Sequence, residues 1–481
     1  MEFETVIGLE THVQLSTKSK IFCSSSTEFG ADPNEFTDPV TLGLPGALPV
    51  LNRSVVEYAM MLGLAMNCEI RSFNRFARKH YFYPDLPKGY QISQFEEPIC
   101  ERGHIAIQIN DATRTIGITR IHMEEDAGKN IHDSRTGSSL IDLNRAGVGL
   151  LEIVSEPDLR SPAEAAAYLR TLRQIVRFLD VSDGNMEEGS LRCDANISLR
   201  PVGEVKFGTR TEIKNINSFK FVERALEYEI ARQMSLLKSG KTVVQETLLF
   251  DSATGVTKPM RSKEESADYR YFPDPDLPPL VIEESWIREV TSRMPKLPEE
   301  RVKELVEGYG LTAYDAHVLT AERSFVDFFE EVFKICQNAK LACAWVTSEL
   351  FGMLNKAGLD LKKSPISAQN LGELLKLIDS ETISGKMGKS VFEEMFASGR
   401  PAQEIVAEKG LKQITNDDEI RRIVEDVFNK NASQLQGYLA GNERLHMFFV
   451  GQVMKATSGS ANPKKVNEVI AAELKKRKDG A

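Results

Sequence analysis

In the sequence DLNRAGVGLLEIVSEP, residues 142–157, one carboxylate interrupts an apolar run. The part from Leu150 to Val154 has the composition of a buried strand, and Glu152 stands in its middle. A charged group in apolar surroundings is costly unless it is paired or coordinates an ion. The stretch therefore predicts a core strand that carries a functional acid.

Three other stretches alternate apolar and polar residues, as half-buried strands do. In the first, Glu10 and His12 share one face and lie about 6.6 Å apart along the strand. In the second, an apolar face leaves Asp194 on the polar side, and in the third Glu212 stands on the polar side. We expect these polar faces to converge with Glu152.

The converging side chains form a candidate site for a divalent metal. Carboxylate oxygens with one imidazole suit Mg²⁺ or Mn²⁺, the ions that hold nucleotide phosphates during phosphoryl transfer. The alternative is the solvated face of an antiparallel sheet, the commoner fate of any one such strand. Several carboxylates together, one of them in an apolar run, favour the metal site. The predicted ligands are Glu10, His12, Glu125, Glu152, Asp194 and Glu212.

Basic and aromatic residues interleave between residues 71 and 90, where Asp85 is the one acid. Such a pattern suits contact with phosphates and stacking on bases. A basic loop whose aromatic rings belong to the core would have the same composition. The residues alone leave both interpretations open.

Two helices interrupt the strand patterns of the first part of the chain. Ser161-Pro162-Ala163-Glu164 has a capping residue, a proline at the first helical position and a capping-box glutamate, and apolar residues follow at helical spacing. Val222 to Leu237 marks the second helix. The proline-rich residues 268–279 exclude a helix or a central strand and predict a rigid edge segment.

The second part of the chain has a helical period throughout, so the fold class is α+β first and all-α afterwards. Proline and glycine breaks at residues 295–298 and 398–401 separate the parts. The predicted domains are residues 1–294, 295–400 and 401–481.

The composition, 41% hydrophobic and 27% charged, is that of an ordinary globular protein. A formal net charge of −10 argues against a surface that is basic throughout, but it allows a local basic patch. Residues 1–10 carry no apolar h-region or basic presequence, and no run of about 18 apolar residues occurs. Six cysteines without paired spacing fit a reducing compartment. We expect a cytoplasmic protein that does not span a membrane.

The end of the chain is basic. From Lys455 onward, seven basic residues stand against three acids. Lys455, Lys464 and Lys465 bracket a Ser-Gly-Ser-Ala turn that precedes a capped helix opened by Pro463, and they are candidates for phosphate contacts. The basic run 475–478 is explained as well by a solvated helix end that its dipole favours.

Six motifs occur in order along the chain: IGLETH at 7–12, RKHYFYPD at 78–85, HMEEDAGK at 122–129, the stretch 142–157, GSLRCDAN at 189–196 and GQVMKA at 451–456. Together they resemble the B subunit of the aspartyl/glutamyl-tRNA amidotransferase, and the resemblance covers the whole chain. That complex converts Asp-tRNA(Asn) to Asn-tRNA(Asn) and Glu-tRNA(Gln) to Gln-tRNA(Gln).

The resemblance implies a cradle-shaped N-terminal domain related to glutamine synthetase, with a mixed or antiparallel sheet, then a helical domain and a helical tail that docks on the tRNA body. It implies ATP and Mg²⁺, because ATP converts the side-chain carboxylate to an acyl phosphate that ammonia then displaces. Ammonia would come from the A subunit, a glutaminase, and the small C subunit would wrap around both large subunits in a heterotrimer.

The resemblance also implies roles for individual residues. The catalytic candidates are Glu125, Glu152, Lys79 and Lys88. The ATP-binding candidates are Lys79, Tyr83, Lys88 and Lys129, and the metal ligands are the six named above. The tRNA-binding candidates are Lys455, Lys464 and Lys465.

This sequence departs from the family pattern in two places. Relatives often carry four zinc-binding cysteines where this chain has Cys23, Ser25, Asp38 and Thr41, and one thiolate does not make a structural zinc site, so we expect no zinc. Gly149 stands where the family usually has proline, which affects the local turn more than the chemistry.

Neither an amidase-type serine cluster nor a cysteine placed for glutamine hydrolysis occurs in the chain, so ammonia must come from a partner. A different function class remains open, a non-catalytic tRNA-binding scaffold whose acidic sheet only builds the fold, and a metal-dependent phosphohydrolase is a more distant alternative. ATP hydrolysis that depends on Mg²⁺ and glutamyl-tRNA would separate the first two. Which charged tRNA is the substrate depends on the synthetases of the cell.

Overall fold

The computed structural model describes residues 2–110, 112–133, 136–260 and 268–479. The chain forms two compact units, Met1–Leu297 and Pro298–Ala481. The described strands lie in the first unit, and the described part of the second consists of helices and their connections. The predicted order, α+β followed by all-α, is therefore confirmed. The further division of the helical part near residue 400 stays a prediction.

The first unit contains four described helices, α1 (Arg53–Ala65), α2 (Pro162–Phe178), α3 (Phe219–Lys238) and α4 (Glu284–Arg293). Its described strands are β1 (Phe3–Gln14), β2 (Glu69–Ile70), β3 (Phe73–Asn74), β4 (Ala77–His80), β5 (Tyr90–Ser93), β6 (Cys100–Ile109), β7 (Ala112–Glu125), β8 (Lys129–Asp133), β9 (Ser138–Asp142), β10 (Gly149–Ser155), β11 (Leu191–Pro201), β12 (Thr211–Ile216), β13 (Thr247–Asp251), β14 (Val256–Pro259), β15 (Phe272–Pro273) and β16 (Leu280–Val281).

Nine of the described strands form one sheet in the order β14-β13-β12-β11-β1-β10-β7-β6-β2. The neighbours pair antiparallel except β12 and β13, which are parallel. The apolar face of β1, with Ile7, Leu9 and Val13, is buried in one core with Leu169 and Leu172 of α2. The sheet is thus packed on one face, and the polar residues of β1 are left on the other.

The two predicted helices form where the sequence places them. At the start of α2, Ser161 Oγ accepts a hydrogen bond from the Glu164 N–H at 3.2 Å, and Pro162 opens the helix. At the start of α3, Ser218 Oγ accepts from the Phe221 N–H at the same distance. Each side-chain oxygen satisfies a backbone donor that has no partner inside the helix.

The proline-rich segment forms neither a helix nor a central strand, as predicted. β15 pairs with β4 at the edge of a three-stranded sheet in the order β15-β4-β5. β16 pairs with β3 in a separate two-stranded sheet. Edge positions suit this segment because proline has no N–H to donate to a neighbour.

The helices of the second unit are α5 (Pro298–Tyr309), α6 (Ala313–Leu319), α7 (Arg323–Cys336), α8 (Ala339–Ala344), α9 (Phe351–Ala357), α10 (Ala368–Asp379), α11 (Gly385–Ser398), α12 (Ala402–Glu408), α13 (Asp417–Lys430), α14 (Ala432–Leu439), α15 (Leu445–Ala456) and α16 (Pro463–Asp479). A π-helical turn, Trp345–Leu350, joins α8 to α9, and a 3₁₀ turn, Leu361–Lys363, follows α9. No helix in the described ranges is long and apolar enough to cross a membrane.

The end of the chain has a core of its own, in which Ile420 and Phe428 of α13, Phe449 of α15 and Ile470 of α16 are buried together. The predicted final helix forms, and Asn462 Oδ1 accepts from the N–H groups of the two residues after Pro463. The apolar stripe of α16 is therefore a packing face, and its lysines are left at the surface.

Candidate active site

The polar face of the large sheet carries a row of charged side chains across four strands. His12 on β1 lies directly opposite Glu152 on β10, and Glu152 lies opposite His122 on β7. On the other side of β1, His12 lies opposite Arg192 on β11. Side chains that face each other across antiparallel strands lie within contact distance. The strand pairing alone therefore brings these four groups together.

Two imidazoles and two carboxylates form the centre of this row. His12 Nε2 lies 3.4 Å from Glu152 Oε2 and 3.6 Å from Glu124 Oε1. His122 Nε2 lies 3.3 Å from Glu152 Oε2 and 3.6 Å from Glu124 Oε2. Ligand atoms of His12, Glu124 and Glu152 lie within 4.8 Å of one another, which suits a shared cation.

Burial and pairing act in opposite directions on the pKa values of these groups. Burial would raise the pKa of Glu152, but both imidazoles outweigh it and hold that pKa well below the usual range. Burial would lower the pKa of His122, but Glu152 and Glu124 outweigh it and raise the pKa to about 9. The four groups thus form a partly buried, paired set of opposite charges, and a cation could bind His12 only in place of its proton.

A second group of charges adjoins the first on the same face. Lys214 Nζ donates to Asp194 Oδ2 at 2.6 Å and lies 3.0 Å from Glu212 Oε1. Glu10 Oε1 accepts from Asn196 Nδ2 at 3.2 Å. The pKa of Glu10 is raised, first by burial and then by the negative charge of the acids around it. Glu10, Asp194 and Glu212 are therefore brought together, with Lys214 among them.

A cavity of about 450 Å³ opens beside His12 and Glu124. Its wall includes three basic side chains, Lys79, Arg192 and Lys214. The ammonium group of Lys79 lies 5.0 Å from the centre of the Tyr269 ring. Two of the three are also ion-paired, Arg192 with Asp126 at 3.0 Å and Lys214 with Asp194 at 2.6 Å. The cavity thus combines a candidate cation site with positive groups, of which Lys79 in particular suits phosphate or a carboxylate.

The structure places Glu125 away from the other predicted ligands. Glu125 accepts a hydrogen bond from Lys88 Nζ, and the Ile92 N–H donates to it at 2.9 Å. Alternation along β7 puts Glu125 on the face opposite to Glu124, so it does not join Glu152 and His12. The acid of β7 that lies with His12 and Glu152 is Glu124.

Sequence reasoning missed Glu124 and His122, although the apolar Ile121 and Met123 alternate with them and could have indicated their face. The pairing of β7 with β10 jumps between Arg120 and Ile118, which is a β-bulge. Before the bulge the core-facing residues of β7 have even numbers, Ile116 and Ile118, and after it they have odd numbers, Ile121 and Met123. The alternation of the whole strand is therefore broken.

The remaining basic and aromatic candidates lie at different places. Lys88 is engaged with Glu125, and its ammonium lies 5.6 Å from the centre of the Tyr90 ring. Tyr83 is 54% exposed. Lys129 lies over the Phe29 ring at 5.4 Å and lines a separate, smaller cavity. Of the four predicted ATP-binding residues, Lys79 alone lines the cavity next to His12.

Cys23, Asp38 and Thr41, at positions where the sequence predicts no zinc site, are linked by hydrogen bonds. Asp38 Oδ1 accepts from the Thr41 N–H at 2.8 Å and from Thr41 Oγ1 at 2.9 Å. Burial raises the pKa of Cys23 to about 11, and hydrogen bonding to Asp38 adds to the shift. A thiol with so high a pKa is a poor source of a thiolate ligand.

Gly149 is not part of the turn before β10; Gly147, two residues earlier, forms it. Gly147 has the positive φ, 81°, that the turn before β10 requires. Gly149 begins β10, where it pairs with Glu125, and its carbonyl accepts from the Leu15 N–H at 2.9 Å. The glycine is thus part of the strand.

The three tail lysines differ in their surroundings. Lys455 and Lys464 are exposed at the end of α15 and the start of α16. Lys465 Nζ forms an ion pair with Asp417 Oδ1 at 3.0 Å. Two of the three are therefore exposed, and the third is already neutralised by a carboxylate.

Comparison with known proteins finds the same relatives along the whole chain. The GatB/GatE catalytic domain matches residues 5–288, and the GatB domain matches residues 327–474. The B subunit of aspartyl/glutamyl-tRNA(Asn/Gln) amidotransferase from Thermodesulfovibrio yellowstonii is 55% identical over 475 residues, 99% of this chain and 100% of the relative. The B subunits of the same enzyme from Geotalea daltonii and Persephonella marina are 56% and 54% identical, over 98% and 99% of this chain and 100% of each relative.

Proposed function

Because the chain belongs to the family of B subunits of aspartyl/glutamyl-tRNA(Asn/Gln) amidotransferase, we propose that it acts in a glutamine-dependent carbon–nitrogen ligase. The substrate is Glu-tRNA(Gln), Asp-tRNA(Asn) or both. An oxygen of the side-chain carboxylate attacks the γ-phosphorus of ATP, and ADP leaves. Ammonia then attacks the carbonyl carbon of the acyl phosphate, and phosphate leaves.

The observation that carries this proposal is the cluster of His12, Glu124 and Glu152 beside a cavity walled by basic side chains. One imidazole and two carboxylates within 4.8 Å fit Mg²⁺ or Mn²⁺. A divalent ion bound there would neutralise phosphate charge as it develops. The antiparallel sheet with this polar face also supports the finer fold proposal, a cradle related to glutamine synthetase.

The chain's own residues supply orientation and positive charge. His122 contacts both Glu152 and Glu124, and such outer contacts fix the geometry of ligands. Lys79 and Arg192 line the cavity wall and would bind the phosphoryl group or the acceptor carboxylate. We propose Lys79 as the ATP-contacting lysine, because Lys88 and Lys129 do not line this cavity.

The source of ammonia lies outside this chain. Burial raises the pKa of all the cysteine thiols, that of Cys68 to about 12 and that of Cys343 to about 11. Nucleophilic cysteines have lowered pKa values instead. We therefore propose a heterotrimer in which the glutaminase A subunit supplies ammonia and the small C subunit joins both. The isolated chain should release no ammonia from glutamine.

The helical tail would hold the tRNA body through exposed lysines, mainly Lys455 and Lys464. Phosphate contacts of this kind position a nucleic acid without reading its sequence. The division into a catalytic domain, residues 1–294, a helical domain, 295–400, and a tail, 401–481, is part of the same proposal.

The decisive experiment is an assay of ATP cleavage by the complex co-expressed with its A and C subunits. Cleavage should require Mg²⁺ and a mischarged tRNA, and Glu152→Gln should abolish it while the glutaminase still turns over. If the complex transamidated normally with Glu152→Gln, the sheet would be a scaffold and the reaction would occur elsewhere.

A further inference from the structure

Among the described strands of the large sheet, the end of β7 that carries Glu124 has a neighbour on one side only. β10 pairs with β7 as far as Glu125, but β6 begins at Cys100, which lies opposite Ile121. Beyond Ile121, the side of β7 toward β6 is therefore open within this sheet. Glu124 and Glu125 are 2% and 3% exposed, and buried backbone groups need hydrogen-bond partners. Those partners must come from outside the large sheet.

Side chains of β5 and of the residue after it supply these partners. Gln94 Oε1 accepts from the Met123 N–H at 3.0 Å, and Gln91 Nε2 donates to the Glu125 carbonyl at 2.6 Å. Both hydrogen bonds go to alternate residues of β7, as those of a neighbouring antiparallel strand would. Side chains of β5 and Gln94 therefore take the place of the missing strand and fix the end of β7.

One contact of β5 reaches the Glu124 carboxylate itself. The Ser93 hydroxyl donates to Glu124 Oε2 at 3.2 Å, and a second acceptor, the Gln94 carbonyl, lies at 3.5 Å, the limit for a hydrogen bond. Ser93 is 1% exposed, so water hardly competes for this bond. The other oxygen of Glu124, Oε1, lies 3.6 Å from His12 Nε2. The hydroxyl thus holds one oxygen and leaves the other on the side of His12.

The same face of the three-stranded sheet carries Lys79. In the antiparallel pairing of β4 with β5, Lys79 lies opposite Gln91, and Ser93 lies two residues from Gln91. Residues directly opposite across such a pair share a face, as do alternate residues along one strand. Lys79 and Gln91 both line the cavity beside His12. The strand that holds Glu124 is therefore paired with the strand that carries Lys79.

From these contacts we propose that Ser93 is a positioning residue for Glu124 in the candidate cation site. Its hydroxyl holds Oε2 and keeps Oε1 near His12, where a divalent ion would be shared with Glu152. A carboxylate that is already oriented loses less freedom when it binds an ion, so the affinity for the ion is higher. This inference rests on the proposed function, and it adds a residue outside the cavity lining that sets the geometry of the site.

The test measures Mn²⁺ affinity of the complete heterotrimer by electron paramagnetic resonance. Ser93→Ala should weaken Mn²⁺ binding about tenfold, the lower end of the loss expected for an outer partner of a metal ligand. The Mg²⁺ concentration that gives half-maximal tRNA-dependent ATP cleavage should rise by the same factor. Ser182→Ala is the control and should change neither value. Ser182 is 4% exposed, and its hydroxyl oxygen accepts from the Gly184 N–H, also at 3.2 Å.

A double-mutant cycle separates positioning from packing. In a Glu124→Ala background, Ser93→Ala should change Mn²⁺ affinity little, because the hydroxyl acts through that carboxylate. An equal loss in both backgrounds, or no loss in the first, would overturn the positioning role.

A third variant covers the case in which Ser93→Ala does not assemble, judged by glutamine hydrolysis of the complex. Ser93→Cys keeps the size of the side chain but replaces the hydroxyl with a weak donor, so most of the tenfold loss should remain. An assembled Ser93→Cys complex with unaltered Mn²⁺ affinity would overturn the positioning role. An unaltered complex whose Mn²⁺ binding is indifferent to Glu152→Gln would instead contradict the proposed function.

Discussion

The acidic face of the first unit and the basic tail of the second are both clusters of charge, but they are built differently. In the sheet, His12, His122 and Glu152 are held in cross-strand register, with partners at 3.3 to 3.6 Å. In the tail, Lys455 and Lys464 are exposed at helix ends. The function of the sheet cluster should therefore depend on the exact position of each charge, and that of the tail on its total charge.

The difference has an energetic origin. Charges in a partly buried site interact strongly because little solvent screens them, whereas exposed charges are screened within about 8 to 10 Å in ordinary salt. Removing one charged group from the sheet leaves other charged groups buried without a partner. Removing one lysine from the tail only reduces the total attraction between the tail and phosphates. We expect large, site-specific losses from the first region and graded, salt-dependent losses from the second.

The largest effect should come from Glu152→Gln. This change removes the charge that both His12 and His122 contact, so tRNA-dependent ATP cleavage should fall by about 10²–10³-fold or more. The measurement is phosphate release with Glu-tRNA, and glutamine hydrolysis by the assembled complex serves as the control for folding. A loss of less than tenfold would mean that the sheet cluster behaves like the tail.

A comparison of Glu124→Gln with Glu125→Gln tests whether the exact position of an acid in the sheet determines its effect on metal binding. The two acids are neighbours in sequence, but Glu124 alone contacts His12. Mn²⁺ binding, followed by electron paramagnetic resonance, should weaken about 10–100-fold in Glu124→Gln and change little in Glu125→Gln. The second variant should instead lose about 3 kcal/mol of stability, because it leaves Lys88 without its buried partner. Equal weakening of Mn²⁺ binding would contradict this division.

The same pair shows how far the sequence predicts the site. Alternation in β1 and β11 correctly places Glu10, His12 and Asp194 on one face, since both strands are long and regular between these residues. In β7, a bulge between Ile118 and Arg120 breaks the alternation of the whole strand, and only the short run after it indicates that Glu124, rather than Glu125, shares the face of His122. Strand alternation is a local property, and the register between strands far apart in the chain is not.

Long-range pairing limits the prediction of the tail in the same way. The capped helix after Asn462 is confirmed, because capping depends on adjacent residues. The ion pair of Lys465 with Asp417 joins residues 48 positions apart. Sequence composition therefore identifies the basic region, but it cannot show which of its lysines are already neutralised.

The double variant Lys455→Ala/Lys464→Ala should give a moderate, salt-dependent effect. Each phosphate contact on duplex RNA is expected to contribute a slope of about 0.9 in the dependence of log affinity on log salt, by analogy with duplex DNA. The variant should raise KM for charged tRNA several-fold and flatten that dependence, with turnover at saturating tRNA unchanged. Lys465→Ala should do less, because Asp417 already neutralises it. Lost turnover at unchanged tRNA affinity would make the tail a catalytic or assembly element.

Truncation after Ala440 would be a poorer test of the tail. It removes α15 and α16 and exposes Ile420 and Phe428, which are buried against them. Any loss of tRNA binding would then combine lost contacts with a damaged core, so point variants are preferable.

The smallest predicted effect is an increase in tRNA affinity, and it tests the tail most directly. Asp417→Asn removes the partner of Lys465, an exposed pair worth about 0–1 kcal/mol, and frees a lysine for phosphate. The affinity for tRNA should rise about two- to threefold, and the salt slope should steepen by about one contact. Asp418→Asn is the matched control, since it removes the same charge one residue away, where Asp418 pairs with Arg421 at 2.8 Å. Equal gains from both would show that the tail responds only to net charge, whereas a gain confined to Asp417→Asn would show that register matters there too.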